Sequence, residues 1–144
     1  MINNYRKSRN AFTLIELMVV VFIIGILSAV AISLLRGRVD ASKWSEATSA
    51  MGSIRTSARA FCGEKGPAYT YAGTTLVQLG FNPRAGGVAG DLDGKYFSEE
   101  CYQITFNGYD DYYITCTAAD AVGGREYPIT PPMMALDETG VFSP

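Results

Sequence analysis

The stretch NAFTLIELMVVVFIIGILSAVAI, residues 10–32, is apolar almost throughout and carries one acidic side chain, Glu16, near its start. Residues 17–35 contain no charged side chain, and as an α-helix they would extend about 28 Å, close to the thickness of a bilayer's hydrocarbon core. The helix of a soluble core has a polar face, and this run has none. The stretch therefore predicts a transmembrane helix, and Glu16 raises the question of why a carboxylate lies within it.

Three basic residues, Arg6, Lys7 and Arg9, precede the apolar run. Because basic flanks stay in the cytoplasm, we expect the N-terminus to begin there and the rest of the chain to cross the membrane. One interpretation of such a segment is an ordinary secretory signal peptide, for which Ala29-Val30-Ala31 offers a small-x-small cleavage pattern. The apolar region of such a signal is usually shorter than this one and lacks an embedded carboxylate.

The segment NAFTLIELMVVVFIIGIL closely resembles the class III signal of type IV prepilins and of type II secretion pseudopilins. In that family a basic leader is removed on the cytoplasmic side, the new N-terminal residue is N-methylated, and the fifth mature residue is Glu. The resemblance implies cleavage between Ala11 and Phe12, methylation of Phe12, and Glu16 as the fifth mature residue. Ala11 departs from the glycine that usually precedes the cut.

The resemblance also offers a role for the carboxylate. A lone carboxylate costs about 3 kcal/mol near the bilayer centre and less near its edge. After cleavage the amino group of Phe12 is a cation, and in a staggered bundle of identical helices Glu16 of one subunit can pair with that amine of a neighbour. The alternatives are that Glu16 reaches the membrane interface, or that it stabilises the N-terminus of its own helix as an anion.

After the apolar run the sequence predicts an amphipathic continuation of the same helix. Apolar residues recur at spacings of three and four, typical of one helical face, at Trp44, Ala47, Met51, Ile54, Ala58 and Phe61. Gly63 is the predicted C-cap. The predicted organisation is a cleaved leader at 1–11, a transmembrane and filament-core helix at 12–35, its amphipathic half at 36–62, and a globular head at 63–144.

Within the head, a connecting loop is predicted at 63–95 and antiparallel strands at 96–144. Alternation places Tyr102, Ile104 and Phe106 on one face of a strand and predicts Tyr112, Ile114 and Cys116 as the inward set of the next strand. Residues 128–142 predict a last hairpin or strand, with Met134, Leu136 and Val141 apolar around a turn at 137–140. Three or four antiparallel strands against an amphipathic helix predict an α+β fold, with a long N-terminal helix packed on a small sheet. The pilin resemblance implies the same fold.

Three cysteines lie in a head that we expect to reach an oxidising compartment, where disulfides persist. Alternation places Cys116 inward and Cys101 outward, whereas counting across the hairpin makes them near neighbours, and a β-bulge would reconcile the two. Cys62, at the helix end, is the other available partner. The pairing stays unresolved, and the odd cysteine is either buried or joins subunits.

Residues 91–94, Asp-Leu-Asp-Gly, are similar to the start of a calcium-binding loop, but Lys95 occupies the position of the next oxygen ligand. A solvated turn is the ordinary interpretation, and calcium at Asp91 and Asp93 is kept as an alternative because some type II secretion pseudopilins bind calcium in the head. The chain has no histidine, the commonest general base and metal ligand. With no nucleophile–base arrangement either, we expect no enzyme activity, no cofactor and no dedicated metal site.

From residue 63 onward the head has four basic and eleven acidic residues, a formal net charge of −7. Such a charge disfavours nucleic acid as a partner of the head. The resemblance implies other partners: copies of the same chain in a helical filament, a prepilin peptidase and N-methyltransferase, and an inner-membrane assembly platform. It implies a single-pass inner-membrane protein with a periplasmic head, which then enters a surface or periplasmic filament.

The predicted function is therefore that of a structural subunit of a type IV pilus-like filament, serving adhesion, motility or DNA uptake. The first alternative is a pseudopilin of a type II secretion system. The major pseudopilin usually has a Tyr-Pro-rich loop after the helix, and GPAYTYAGTTLVQLGF at residues 66–81 is not a clear copy of it. The second alternative is a signal-anchored periplasmic binding module, which would not need Glu16.

Overall fold

The computed structural model describes residues 12–86, 88–118 and 126–144. A helix α1 is followed by a short 3-10 helix at Glu99–Cys101 and by four strands. The bounds are Leu14–Lys65 for α1, Tyr102–Gly108 for β1, Asp111–Thr117 for β2, Met133–Asp137 for β3 and Phe142–Ser143 for β4. The predicted α+β class is confirmed. The chain divides after Arg36, and Gly37–Pro144 form the C-terminal unit.

The helix α1 ends later than the sequence pattern indicated. Gly66 has a φ of +71° and donates its N–H to the carbonyl of Cys62 at 2.9 Å, which is the left-handed cap of a helix C-terminus. The prediction of Gly63 as the cap is wrong, since Gly63 lies inside the helix. The stop comes at Gly66 because Pro67 disfavours a helical conformation in the residue that precedes it.

The predicted apolar stripe of α1 forms one side of the core of the C-terminal unit. Five of its six residues are buried and Phe61 is half-buried, so the amphipathic prediction is confirmed. The other side of the core comes from the inward face of the sheet, with Tyr102, Tyr112, Ile114 and Leu136 in the same apolar cluster. Burying these side chains contributes roughly 1.5–3 kcal/mol for each large apolar one.

The sheet is antiparallel throughout, with the strand order β1-β2-β3-β4. Its register pairs Tyr102 with Cys116 and Ile114 with Leu136. The alternating apolar residues of β1 and β2 are buried or half-buried, whereas the apolar Val141 is 61 % exposed. Val141 lies in the β3–β4 turn, where its N–H bonds the Asp137 carboxylate at 2.8 Å, so strand alternation does not apply to it.

Cys101 also departs from its predicted orientation. Alternation placed it on the outward face, yet it is 5 % exposed. The reason is that Cys101 ends the 3-10 helix and precedes β1, so the two-residue period of the strand does not reach it.

Candidate functional site: the N-terminal assembly segment and the clamps of the head

The apolar side chains at the start of α1 are exposed. Between Phe12 and Leu35, the described large apolar side chains keep from 48 % to 83 % of their surface open. An 18-residue window of α1 has a mean hydropathy of 2.9 with none of it buried. By length and composition, α1 is the one helix in the described part of the chain that is able to cross a membrane. An apolar surface of this extent calls for lipid or for the same segment of another subunit.

Glu16 caps the start of its own helix. The Thr13 backbone N–H and the Thr13 hydroxyl donate to Glu16 Oε2 at 3.0 and 2.9 Å, and the Glu16 N–H donates to Thr13 Oγ1 at 3.3 Å. This reciprocal pattern is a capping box, with Thr13 at the N-cap and Glu16 three residues on. The role of Thr13 was not predicted above, although the spacing Thr-x-x-Glu before an apolar run is the sequence signal of a capping box.

The capping box leaves room for a second role of the carboxylate. Both bonds from Thr13 go to Oε2, so the box itself does not use Oε1. Phe12, which precedes the box, is 83 % exposed. Ala11 and the leader 1–11 lie outside the described residues, so cleavage after Ala11 and methylation of Phe12 stay predictions.

In the head, polar residues of α1 hold distant loops in place. Glu46 accepts three backbone N–H bonds, from Lys95 at 3.1 Å, Tyr96 at 2.9 Å and Phe97 at 3.0 Å. A Cβ at Gly94 would overlap the Glu46 carboxylate, so any other residue at this position would have to displace the carboxylate from its three donors. Three donors to one half-buried carboxylate make Glu46 the anchor of this loop on α1.

A second set of hydrogen bonds, from Arg55 on α1, holds the turn between β3 and β4. Arg55 Nε and Nη2 donate to the carbonyl of Glu138 at 3.1 and 2.9 Å. Within the turn, Asp137 Oδ1 accepts the Thr139 hydroxyl at 2.6 Å and the Gly140 N–H at 2.8 Å. These bonds, with the Thr139 hydroxyl first, lower the pKa of Asp137 below its ordinary value.

A third polar cluster organises the loop that contains the calcium candidates. Asp93 accepts Arg84 Nε at 2.8 Å and the N–H groups of Gly90 and Glu99 at 2.9 and 3.3 Å. The bond from Arg84 is the main cause that lowers the pKa of Asp93 to about 2. Asp91 Oδ2 accepts Asn82 N and Nδ2 at 2.8 and 3.1 Å.

Calcium requires a cage of oxygen ligands, whereas these two carboxylates face N–H donors. No group of three or more metal-binding side chains occurs within the described ranges. The arrangement is that of a hydrogen-bonded loop.

All three cysteines are buried, with exposures of 2 % for Cys62, 5 % for Cys101 and 0 % for Cys116. Cys62 lies near the end of α1, where its carbonyl accepts the hydroxyl of Tyr71 at 3.4 Å. Cys101 ends the 3-10 helix just before β1, with its Sγ 3.5 Å from the Ser98 hydroxyl. Cys116 lies near the end of β2, opposite Tyr102.

Comparison with known proteins agrees with the N-terminal geometry. Residues 6–32 match the family described as the prokaryotic N-terminal methylation motif. That range contains the basic leader residues, Ala11, Phe12, Thr13 and Glu16. The chain therefore carries a prokaryotic N-terminal methylation motif on an apolar transmembrane helix.

Over 91 residues the chain is 36 % identical to the fimbrial protein EcpC of Eikenella corrodens. The alignment covers 63 % of this chain and 52 % of EcpC, so the chain spans about half the length of that relative. No solved structure matches the chain. Together the motif and the fimbrial relative confirm the resemblance to type IV pilins and pseudopilins.

Proposed function

We propose that this chain is a structural subunit of a type IV pilus-like filament, assembled from the inner membrane through its N-terminal helix. One observation carries the proposal: the methylation motif coincides with a helix segment whose apolar side chains are exposed and whose only carboxylate is Glu16. A head with its own core does not need such a segment for folding. A filament needs it, because the segment supplies the subunit contacts.

In the proposed sequence of events, residues 12–35 first lie in the inner membrane, with the basic leader in the cytoplasm and the head in the periplasm. A prepilin peptidase cleaves after Ala11, and the exposed amine of Phe12 is methylated and keeps its charge. An inner-membrane assembly platform then transfers the subunit into the filament. The chain is a substrate in these steps and has no enzyme activity or cofactor of its own.

During assembly, we propose that Glu16 of one subunit receives the Phe12 amine of its neighbour. The pairing neutralises two charges that would otherwise enter an apolar bundle, where an unpaired charge costs roughly several kcal/mol. The capping box supports this role, because Thr13 fixes the carboxylate at the helix start and limits the side-chain freedom lost on pairing. The apolar side chains between Phe12 and Leu35 then pack against those of other copies.

A pilus is favoured over a secretion pseudopilus by the similarity to a protein described as fimbrial. The test is immunogold electron microscopy of fibres sheared from cells, with an antibody raised against the head. The proposal expects labelled surface fibres in cells with the chain and none in a matched deletion strain. Labelled protein that remains entirely in the periplasm would instead favour a pseudopilin. A processed chain that forms no filament would favour the anchored binding module.

A further inference from the structure

We propose that, before assembly, the head docks on the phospholipid surface of the inner membrane through three exposed apolar side chains. These are Val39, Tyr127 and Ile129, which we call the basal patch. The inference rests on the proposed function, because it needs residues 12–35 to lie in the bilayer and the head to lie outside it. The docked head would be released when the subunit leaves the membrane for the filament.

Polar contacts hold the segment around Pro128 against α1. Ile129 donates its N–H to Asp40 Oδ2 at 3.2 Å. Lys43 Nζ lies 3.8 Å from the Glu126 carboxylate. Asp40 and Lys43 are three residues apart, so both contacts lie on one side of the helix. Pro128 is fully buried while the residues before and after it are exposed, so the segment is fixed at its centre and presents its neighbours to the outside.

The basal patch is apolar surface that the fold of the head leaves open. Val39 and Tyr127 are 42 % and 43 % exposed, and Ile129 is 80 % exposed. Val39 precedes Lys43 by four residues, so it lies on the side of α1 that carries the two polar contacts. One exposed apolar side chain is ordinary, whereas several around the same point of a surface indicate a partner.

The covalent chain keeps this patch close to the membrane. Asp40, which binds Ile129, follows Leu35 by five residues, and Leu35 ends the run without charged side chains. Five residues rise about 7.5 Å in a helix and cover no more than about 18 Å when fully extended. The headgroup layer on each side of a bilayer is about 5–8 Å deep. The patch therefore lies within reach of that layer.

The charges and residue types near the patch fit a phospholipid surface. Residues 36–43 include three basic side chains and one acidic one, whereas the chain from residue 63 onward is strongly acidic. Arg36 and Arg38 are exposed, and guanidinium groups bind phosphate oxygens through charge-assisted hydrogen bonds. Tyrosine is enriched where a membrane meets water, because its ring is apolar and its hydroxyl is polar.

Fluorescence quenching tests the contact in the full chain, reconstituted into vesicles of phosphatidylcholine and phosphatidylglycerol that are brominated next to the headgroups. Tyr127→Trp places a reporter in the patch. Tyr109→Trp is the matched control, because Tyr109 is 49 % exposed and adjoins Tyr71, whose hydroxyl binds the Gly66 carbonyl just beyond the C-terminal end of α1. The wild type gives the background of the buried Trp44. The proposal expects Tyr127→Trp to be quenched above this background and Tyr109→Trp to stay at it.

A second pair of variants separates docking from the proximity that the covalent chain alone provides. In the Tyr127→Trp chain, Ile129→Asp places a carboxylate in the patch and should remove most of the excess quenching. Val77→Asp changes another exposed apolar residue of the head and should leave the quenching unchanged. Equal quenching with and without Ile129→Asp would overturn the proposal, and so would equal quenching of Tyr127→Trp and Tyr109→Trp.

Phe22→Trp, inside the apolar run, distinguishes failure of this inference from failure of the proposed function, with lipids brominated deep in the acyl chains. If Phe22→Trp is quenched there and Tyr127→Trp is unquenched near the headgroups, the helix is in the bilayer and only the docking is wrong. If neither is quenched, residues 12–35 are not in the bilayer, and both proposals fail. A Tyr127→Trp reporter that is unquenched in vesicles but shielded from iodide in sheared fibres would assign the patch to contact between copies and overturn the proposal.

Discussion

Glu16 forms one set of bonds within its own chain and is proposed to form another between chains. The capping box with Thr13 satisfies N–H groups at the start of α1 and needs no second subunit. A cap alone is worth about 1 kcal/mol and can be built from many residue types. The proposed pairing with a neighbour's amine specifically requires a negative charge, and substitutions can separate the two roles.

The first prediction concerns Glu16 and Thr13. Glu16→Ala should insert into the membrane and be cleaved, but its fibre yield should fall more than about tenfold because an unpaired amine entering the bundle costs roughly several kcal/mol. Glu16→Gln should also assemble poorly, and Glu16→Asp should be intermediate. Thr13→Ala removes the cap but keeps the carboxylate, so it should retain most of the yield.

The measurement is the ratio of sheared fibre to processed membrane-bound subunit, with each variant expressed as the only copy. Normal yield from Glu16→Ala would mean that the carboxylate is dispensable. An equal loss from Thr13→Ala would mean that its role is capping alone.

The second prediction concerns Asp93, whose pKa is lowered from 3.8 to about 2 by the bond from Arg84. A carboxyl whose pKa is lower in the folded chain than in the unfolded chain stabilises the fold at pH values above its unfolded pKa. This contribution to the free energy of unfolding is lost as the pH falls from about 4 to about 2. Asp93→Asn should lower stability at neutral pH and flatten its pH dependence in this window. The check is urea unfolding of both proteins across the window, with the exposed Glu100→Gln as the matched control. An unchanged pH profile in Asp93→Asn would contradict the account.

At the scale of helices and strands, the apolar patterns predicted which faces are buried. The positions of the polar residues did not predict which of them hold loops in place. The stripe on α1 and the inward faces of β1 and β2 follow from the periods of 3.6 and 2, which depend only on local sequence. Glu46 and Arg55 lie off the apolar stripe of α1, and the stripe says nothing about what they contact. Their roles depend on backbone groups 51 and 83 residues away, which no local pattern encodes.

The candidate sites also differ in how much of each one a local sequence motif contains. Ala11, Phe12 and Glu16 could be named from sequence because a motif with a fixed spacing contains them. The motif at 91–94 could not show what surrounds the Asp91 and Asp93 carboxylates, because N–H donors reach them from Asn82, Arg84 and Glu99. The orientation of Cys101 depends on a 3-10 helix that alternation cannot predict.

The third prediction concerns the loop at 95–97. Glu46→Gln replaces one carboxylate oxygen with an amide that cannot accept, so at least one of the three loop N–H groups loses its bond to α1 and the remaining bonds lose their charged acceptor. Because hydrogen bonds to charged groups contribute about 1.5–3 kcal/mol, the free energy of unfolding should fall by about that amount. Glu64→Gln, at the exposed end of α1, should change stability by less than about 0.5 kcal/mol. Chemical denaturation of the two variants and the wild type measures the difference. Equal stability of Glu46→Gln and Glu64→Gln would show that Glu46 is not an anchor.

The charge of the whole molecule bears on its partners. The acidic head repels a polyanion, and two basic residues of α1 are engaged locally, since Lys43 lies 3.8 Å from the Glu126 carboxylate and Arg55 binds the Glu138 carbonyl. The fourth prediction is that a soluble form beginning at Arg36 binds duplex DNA weakly and without sequence preference. A mobility-shift titration at two salt concentrations measures this. Tight, salt-sensitive binding would contradict it.

The central claim is that this chain is processed after Ala11 and enters a filament through the helix that begins at Phe12. Intact mass spectrometry of the protein recovered from sheared surface fibres tests it most directly. The account predicts a chain that begins at Phe12 and carries one methyl group. A chain that begins at Ile32 or Ser33, or the absence of this protein from the fibres, would contradict the account.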